Sequence, residues 1–330
     1  MFKLALQDGH NRQVSYVRIS VTDRCNLRCV YCSEPSFFDN HHDQILSYEE
    51  IVRLVRVLVT LGVDKVRLTG GEPLVRRHID SLISTLNGIS GINDISLTTN
   101  GVLLEKLADS LRVAGLQRIN ISLDTLDRKR FKEITGRDYF DRVWAGIEAA
   151  LAVGFDPVKI NAVVMRGVND DELLDFAALT QKFPLHVRFI EYMPIGVSST
   201  WRGDKVVTGE QMLEQISENL GELEPVIAES GGPARLYRLP GAPGRIGVIT
   251  AMSNHFCATC NRIRVTADGL LRPCLLSDSE YDLKKVLRSG GDFAEIGELV
   301  RQAVASKSAE HEMACNVERK CARMMSTIGG

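Results

Sequence analysis

The sequence predicts an α/β fold, an incomplete (βα)6 barrel of the TIM type with a smaller C-terminal α+β domain covering its open side. Three observations predict it. From Val14 to about Met193 an alternating strand, a polar or glycine turn and an amphipathic helix recur six times, a pattern that makes a parallel sheet with right-handed crossovers. The strands are split into an apolar and a polar face, whereas a parallel sheet covered by helices on both sides is apolar on both. The repeat also stops short of the eight units and roughly 250 residues of a closed barrel. The barrel is therefore assigned to residues 1–195 and the C-terminal domain to residues 196–330.

The elements follow in order. In "SYVRISVT", Val17, Ile19 and Val21 alternate with Arg18, Ser20 and Thr22. The helix "SYEEIVRLVRVLVTLG" starts with Ser47 as N-cap and Glu50 at the capping-box position. In "KVRLTGG", Lys65, Arg67 and Thr69 oppose Val66 and Leu68; in "DISLTTN", Ser96, Thr98 and Asn100 oppose Ile95 and Leu97. After the helix "LLEKLADSLRVAG", the strand "RINISLD" sets Asn120, Ser122 and Asp124 against Ile119, Ile121 and Leu123. "VKINAVVM" sets Lys159 and Asn161 against Val158, Ile160 and Ala162; the helix "NDDELLDFAALTQKF" leads to "HVRFIEYMP", where the direction of Arg188 stays open. Helices claim the apolar face, so the polar face lines a wet, cationic concavity. Beyond it "GVSSTWRGDK" reads as a linker, "TGEQMLEQISENLG" as a helix, "GGPARLYRLPGAPGRIGVIT" as turns and strands, and "NRIRVTADGLLRPC" as a hairpin turning at Asp268 and Gly269.

A net charge of −2 over 330 residues exerts no general pull towards nucleic acid or membrane, so anion binding must be local. The chain shows no secretory leader and no apolar run of membrane-spanning length, and the expectation is a cytoplasmic protein. There eight cysteines are not expected in disulfides, and six of them fall in two tight groups, a pattern of metal ligands. Cys25, Cys29 and Cys32 form CxxxCxxC at the carboxyl end of the first strand, the end where barrel enzymes carry their sites. Three thiolates there can hold three corners of an iron–sulfur cube and leave the fourth open, with zinc completed by a distant residue as the alternative. Cys257, Cys260 and Cys274 form the second group; on the residues alone zinc, with His255 as a further ligand, stands level with iron–sulfur. Two groups each lacking one ligand tip the balance towards two clusters.

Arg262 and Arg264 leave one face of the strand beside Cys260. They make either a solvated edge or, with Arg18, Lys65, Arg67 and Lys159, a cationic funnel for phosphate oxygens, in a chain with no GxxxxGK[ST] loop. Cys315 and Cys321 read as ordinary thiols on a C-terminal helix, and His41 and His42 as surface loop residues.

CxxxCxxC with Tyr31 before its last cysteine, followed by the turn "TGGEP", resembles the radical S-adenosylmethionine (SAM) superfamily. Together with "FCATCNRIRVTADGLLRPCLL" and the terminal "MMSTIGG", the chain resembles, from about residue 12 to its end, the molybdenum cofactor biosynthesis protein A family of GTP 3′,8-cyclases. This resemblance implies two [4Fe–4S] clusters and SAM as cofactors. It also implies radical cyclisation of GTP to 3′,8-cyclo-7,8-dihydro-GTP, the first step of molybdenum cofactor biosynthesis. Family positions for SAM map onto Tyr31, Gly71, Ser122 and Met193, and those for GTP onto Arg18, Arg67, Thr98, Lys159, Arg262 and Arg264. The family further implies a tail, here Arg323, Gly329 and Gly330, threaded towards the active site; the residues alone read as a frayed end. Implied partners are GTP, a one-electron reductant such as flavodoxin or ferredoxin, and the next enzyme, cyclic pyranopterin monophosphate synthase, with a homodimer allowed and neither membrane nor nucleic acid. A radical SAM peptide-modifying enzyme with an auxiliary cluster is the alternative.

Overall fold

The computed structural model describes residues 5–32, 43–196, 201–227, 232–311, 313 and 321–329. Its strands are β1 (Tyr16–Ser20), β2 (Lys65–Thr69), β3 (Asp94–Thr99), β4 (Arg118–Ser122), β5 (Val158–Val164), β6 (Leu185–Glu191), β7 (Glu224–Val226), β8 (Arg235–Arg238), β9 (Arg245–Ile249), β10 (Arg262–Val265), β11 (Leu270–Arg272) and β12 (Tyr281–Asp282). The six predicted repeat strands lie side by side in chain order and pair in parallel. The strand order is β12-β11-β10-β1-β2-β3-β4-β5-β6-β9-β8-β7, so the two ends do not pair and the barrel is incomplete.

The C-terminal residues do more than cover the opening. β10 adds in parallel to β1 and β9 adds in parallel to β6, extending the barrel sheet at both margins, and the antiparallel β11–β12 and β8–β7 pairs finish it. Arg262 and Arg264 consequently stand inside the sheet and not on a solvated edge. The apolar strand face packs under the helices as the alternation requires: Val17, Ile19, Val66, Leu68, Ile119 and Ile121 are all completely buried. The helix Tyr48–Thr60 begins with the expected capping box between Ser47 and Glu50, and it turns Ile51, Leu54, Val55 and Leu58 to that core. Each such side chain contributes about 1.5–3 kcal/mol on burial.

Two expectations are corrected. The described part of the supposed linker is anchored: Trp201 is buried and its Nε1 donates to the Tyr192 carbonyl at 3.0 Å, an apolar body with a satisfied polar tip. Cys321 is not helical; it lies in extended backbone bridged to Ile195. Cys315, His41, His42 and Gly330 lie outside the described residues.

Candidate active site

Parallel register decides what the polar strand faces do together. It aligns Arg264, Arg18, Arg67, Ser96 and Arg118 across β10, β1, β2, β3 and β4, and Asn120, Lys159, His186 and Arg245 across β4, β5, β6 and β9. Neighbouring strands are only about 4.8 Å apart, so the register holds like charges together. Arg18, Lys65, Arg67, Arg118, Lys159, Arg188, Arg262 and Arg264 all line one cavity, against the carboxylates of Asp94 and Asp124. Arg188, left open by the sequence, faces this cavity. Burial, followed by the neighbouring guanidinium groups of Arg188, Arg67 and Arg118, pushes Lys159 down to about 6. Burial lowers Arg18 to about 10 and Arg188 to about 9 for the same reasons. A surface of this kind matches a polyanion and little else.

Cys25, Cys29 and Cys32 line the same cavity at the carboxyl ends of the strands. Cys25 Sγ accepts from the Leu27 amide at 3.4 Å, the Ser326 amide faces Cys32, and the Tyr31 hydroxyl beside Cys29 donates to Asp124. Burial and the other thiols raise Cys29, and burial raises Cys32 to about 12, so these sulfurs become thiolates only by binding a cation. Gly70 and Gly71 lie flat against the chain entering the cysteine loop. A β-carbon on Gly71 would lie 2.5 Å from the carbonyls of Asp23 and Arg24. That close approach lets the Gly71 amide donate to Thr22 O at 2.7 Å and the Glu72 amide to Arg24 O at 2.8 Å. Tyr31, Gly71, Ser122 and Met193 share this cavity with Thr98.

At the second group, Arg262 Nη2 lies 3.8 Å and Lys307 Nζ 3.5 Å from Cys260 Sγ. Although burial alone would raise Cys260, Arg262 and Lys307 bring it down to about 6. Cys257, Cys260 and Cys274 are not among the residues lining the cavity; their neighbours Phe256 and Leu275 are. His255 stacks on His311 with ring centroids 4.0 Å apart, and the two histidines with Cys257 are close enough to share one ion. His311, however, already spends Nε2 on the Ala251 carbonyl and Nδ1 on the Met313 amide.

The tail is not frayed where it is described. Gly329 is buried with φ +82°, a left-handed conformation that favours glycine, and a β-carbon there would collide with the Thr69 hydroxyl. Its carbonyl accepts from Arg264 Nη1. One short segment thus touches both Cys32 and the cation row. Arg323 does not reach into the cavity wall; it grips Asp268 and Glu280 on the β10–β11 turn and beyond.

Residues 19–180 match the family model of the radical SAM superfamily, and residues 185–313 that of Molybdenum Cofactor Synthesis C. The GTP 3′,8-cyclase of Pelotomaculum thermopropionicum is 49% identical over 327 residues, covering 98% of this chain and 100% of the relative. That of Moorella thermoacetica is 50% identical over 327 residues with the same coverage. The chain belongs to the GTP 3′,8-cyclase family. Among solved structures, Streptococcus suis SuiB bound to S-adenosylmethionine aligns with a TM-score of 0.65 at 16% identity, covering 93% of this chain and 79% of that one. Native anSMEcpe with bound AdoMet aligns at 0.60 and 16%, covering 91% and 82%. At such identities the likeness is one of fold.

As a radical SAM member of the GTP 3′,8-cyclase family, the protein uses SAM and iron–sulfur chemistry, and both cysteine groups suit it. Cys25 Sγ accepts from the Leu27 amide and Asn100, and Cys260 Sγ from Arg262 and Lys307, outer partners of the kind a thiolate-ligated cluster has. The sequence placed Asn100 and Asp124 on the polar strand faces but showed neither their partners nor the part played by Glu72. Glu72 is buried, accepts from Leu74 N, Thr99 Oγ1 and Asn100 N, and is pushed up to about 7 by burial. Asn100, so held, reaches Asn26 Oδ1 at 2.7 Å and Cys25 Sγ at 3.7 Å. Asp124 accepts from Tyr31 and from Val163 N, and burial raises it to about 6. Arg118 shares the strand parity of Asn120 and Ser122 and was findable from it. Lys307, which touches Cys260, carries no local signal.

Proposed function

We infer that this chain converts GTP to 3′,8-cyclo-7,8-dihydro-GTP with SAM, the first step of molybdenum cofactor biosynthesis. The observation that carries this reading is the cation row of Arg18, Arg67, Lys159 and Arg264, which shares its cavity with the first cysteine group and reaches the second through Arg262, a surface suited to a triphosphate. One cluster at each group is the assignment. A cluster-bound SAM would supply a 5′-deoxyadenosyl radical when given an electron. The chain's own residues do the rest. Tyr31, Gly71, Ser122 and Met193 seat SAM beside Cys25, Cys29 and Cys32. Thr98 and the cations fix the nucleotide so that its ribose faces that end, and Arg262 stands between the phosphates and the second group. Positioning of this kind is worth several kcal/mol when reacting atoms are brought into near-attack contact. A one-electron donor of the flavodoxin or ferredoxin class in the cytoplasm completes the requirement, and the next pathway enzyme takes the product. Among the described residues no helix is long and apolar enough to cross a membrane.

Incubation of the anaerobically reconstituted protein with SAM, a reductant and GTP deuterated at C3′ tests the reading. Deuterium is expected in 5′-deoxyadenosine and the cyclised nucleotide in the product fraction. Deoxyadenosine without deuterium, whatever its yield, rejects it. A peptide-modifying activity has no observation in its favour, since eight lysine and arginine side chains on a cavity wall offer a peptide backbone nothing specific.

A further inference from the structure

Lys307 is only 4% exposed, yet among the described residues no salt bridge to a carboxylate accompanies its burial. Its three hydrogens are instead directed at the Pro273 carbonyl at 2.8 Å, the Arg262 carbonyl at 3.3 Å and Cys260 Sγ at 3.5 Å. Two of these acceptors belong to residues adjoining the second cysteine group, and the third is one of its sulfurs. A buried ammonium is costly unless an anion compensates it, and here the facing group able to become an anion is the Cys260 thiolate.

The lysine is also held from behind. Arg12, 8% exposed, donates to Cys257 O at 2.9 Å, Ala309 O at 2.7 Å and Ser308 O at 2.6 Å, while its Nε pairs with Asp8 at 2.6 Å. One guanidinium from the start of the chain therefore clamps residues 308 and 309 onto the loop that begins at Cys257, and this fixes Lys307 over Cys260. Arg262, the other cation at this sulfur, lies in the cavity wall where a nucleotide reaches it. Lys307 does not.

We propose that Lys307 is a positioning residue of the second site, a fixed cation hydrogen-bonded to the Cys260 thiolate that raises the reduction potential of the cluster held there. A positive charge and an N–H···S bond both favour the more negative, reduced state. They also offset the negative charge of a three-thiolate cluster towards the polyanionic nucleotide arriving beside it. The inference rests on the reading that Cys257, Cys260 and Cys274 hold a cluster.

The test uses full-length protein with Cys25, Cys29 and Cys32 replaced by alanine, so that only the second cluster is reduced. Lys307→Met keeps the volume without charge or donor; Lys307→Gln keeps a donor without charge. Iron analysis and a potentiometric titration followed by electron paramagnetic resonance are expected to show loaded clusters in both variants. Their midpoint potentials should be lower than the parent's by about 59 mV or more, a tenfold change in the one-electron reduction equilibrium. A parent that takes up no iron overturns the cluster reading itself. A loaded parent with loaded variants of unchanged potential overturns only the role of Lys307. Loss of iron from both variants would make the lysine a structural strut and overturn the tuning role as well.

Discussion

At Lys159, burial and the neighbouring guanidinium groups favour the neutral amine at ordinary pH, because the group has been pushed from 10.5 to about 6. The sign of the consequence is fixed. In the unliganded fold this group costs stability below its ordinary pKa, and the loss is recovered as pH rises from about 6 towards 10.5. A triphosphate on the row reverses the preference and restores the ammonium. GTP binding is therefore expected to take up a proton near neutrality, and affinity is expected to fall as pH rises through that window. Calorimetry in two buffers of different ionisation enthalpy measures the uptake; an equal uptake by Lys159→Met would assign the proton elsewhere. Gly329 makes a steric prediction. Gly329→Ala must move either the left-handed backbone or Thr69, so it should leave iron content and GTP affinity near the parent values. Product formed per SAM cleaved should fall at least about tenfold, equivalent to about 1.4 kcal/mol of lost positioning. A full yield in that variant would make the tail dispensable.

The element that controls the tail is the β10–β11 hairpin. It turns at Asp268 and Gly269, as its sequence indicates, and Gly269 takes φ +83°. The turn carboxylate of Asp268 then receives Arg323 at 3.1 Å, and Arg272, itself completely buried, touches Cys321 Sγ at 3.2 Å. The segment leading to Ser326 and Gly329 is thereby tied at two points to the strand pair that ends at Cys274. Arg323→Ala is expected to lower kcat for cyclisation with little change in GTP dissociation constant, since every cation of the row remains. A rise in that constant with unchanged kcat would instead put Arg323 among the nucleotide contacts.

Across the whole molecule, the two cysteine groups flank the neighbouring strands β1 and β10, and their roles are separable. On the proposed assignment of one cluster to each three-thiolate group, replacing Cys257, Cys260 and Cys274 together by alanine should remove about half of the iron. Reductive SAM cleavage should persist while cyclised nucleotide disappears, because the first group and its donors are untouched. Deoxyadenosine and product are quantified in the same reaction. Normal cyclisation by that variant would reduce the second group to a structural part.

Features set by near neighbours were legible in the residues alone. The six-strand alternation, the Ser47–Glu50 capping box, the glycine turn at Gly70 and Gly71 and both cysteine groups each follow from spacing within a few residues. The polar strand faces even foretold a cationic concavity, since period-two alternation places every second residue on one side. Tertiary structure alone decided which charges meet. The pairing of β10 with β1 sets Arg264 beside Arg18, and the Arg12–Cys257 contact spans 245 residues of chain. No local preference encodes such pairings; they form because the apolar faces of distant strands share one core under the helices, and Arg118, Arg12 and Lys307 take their roles from that docking.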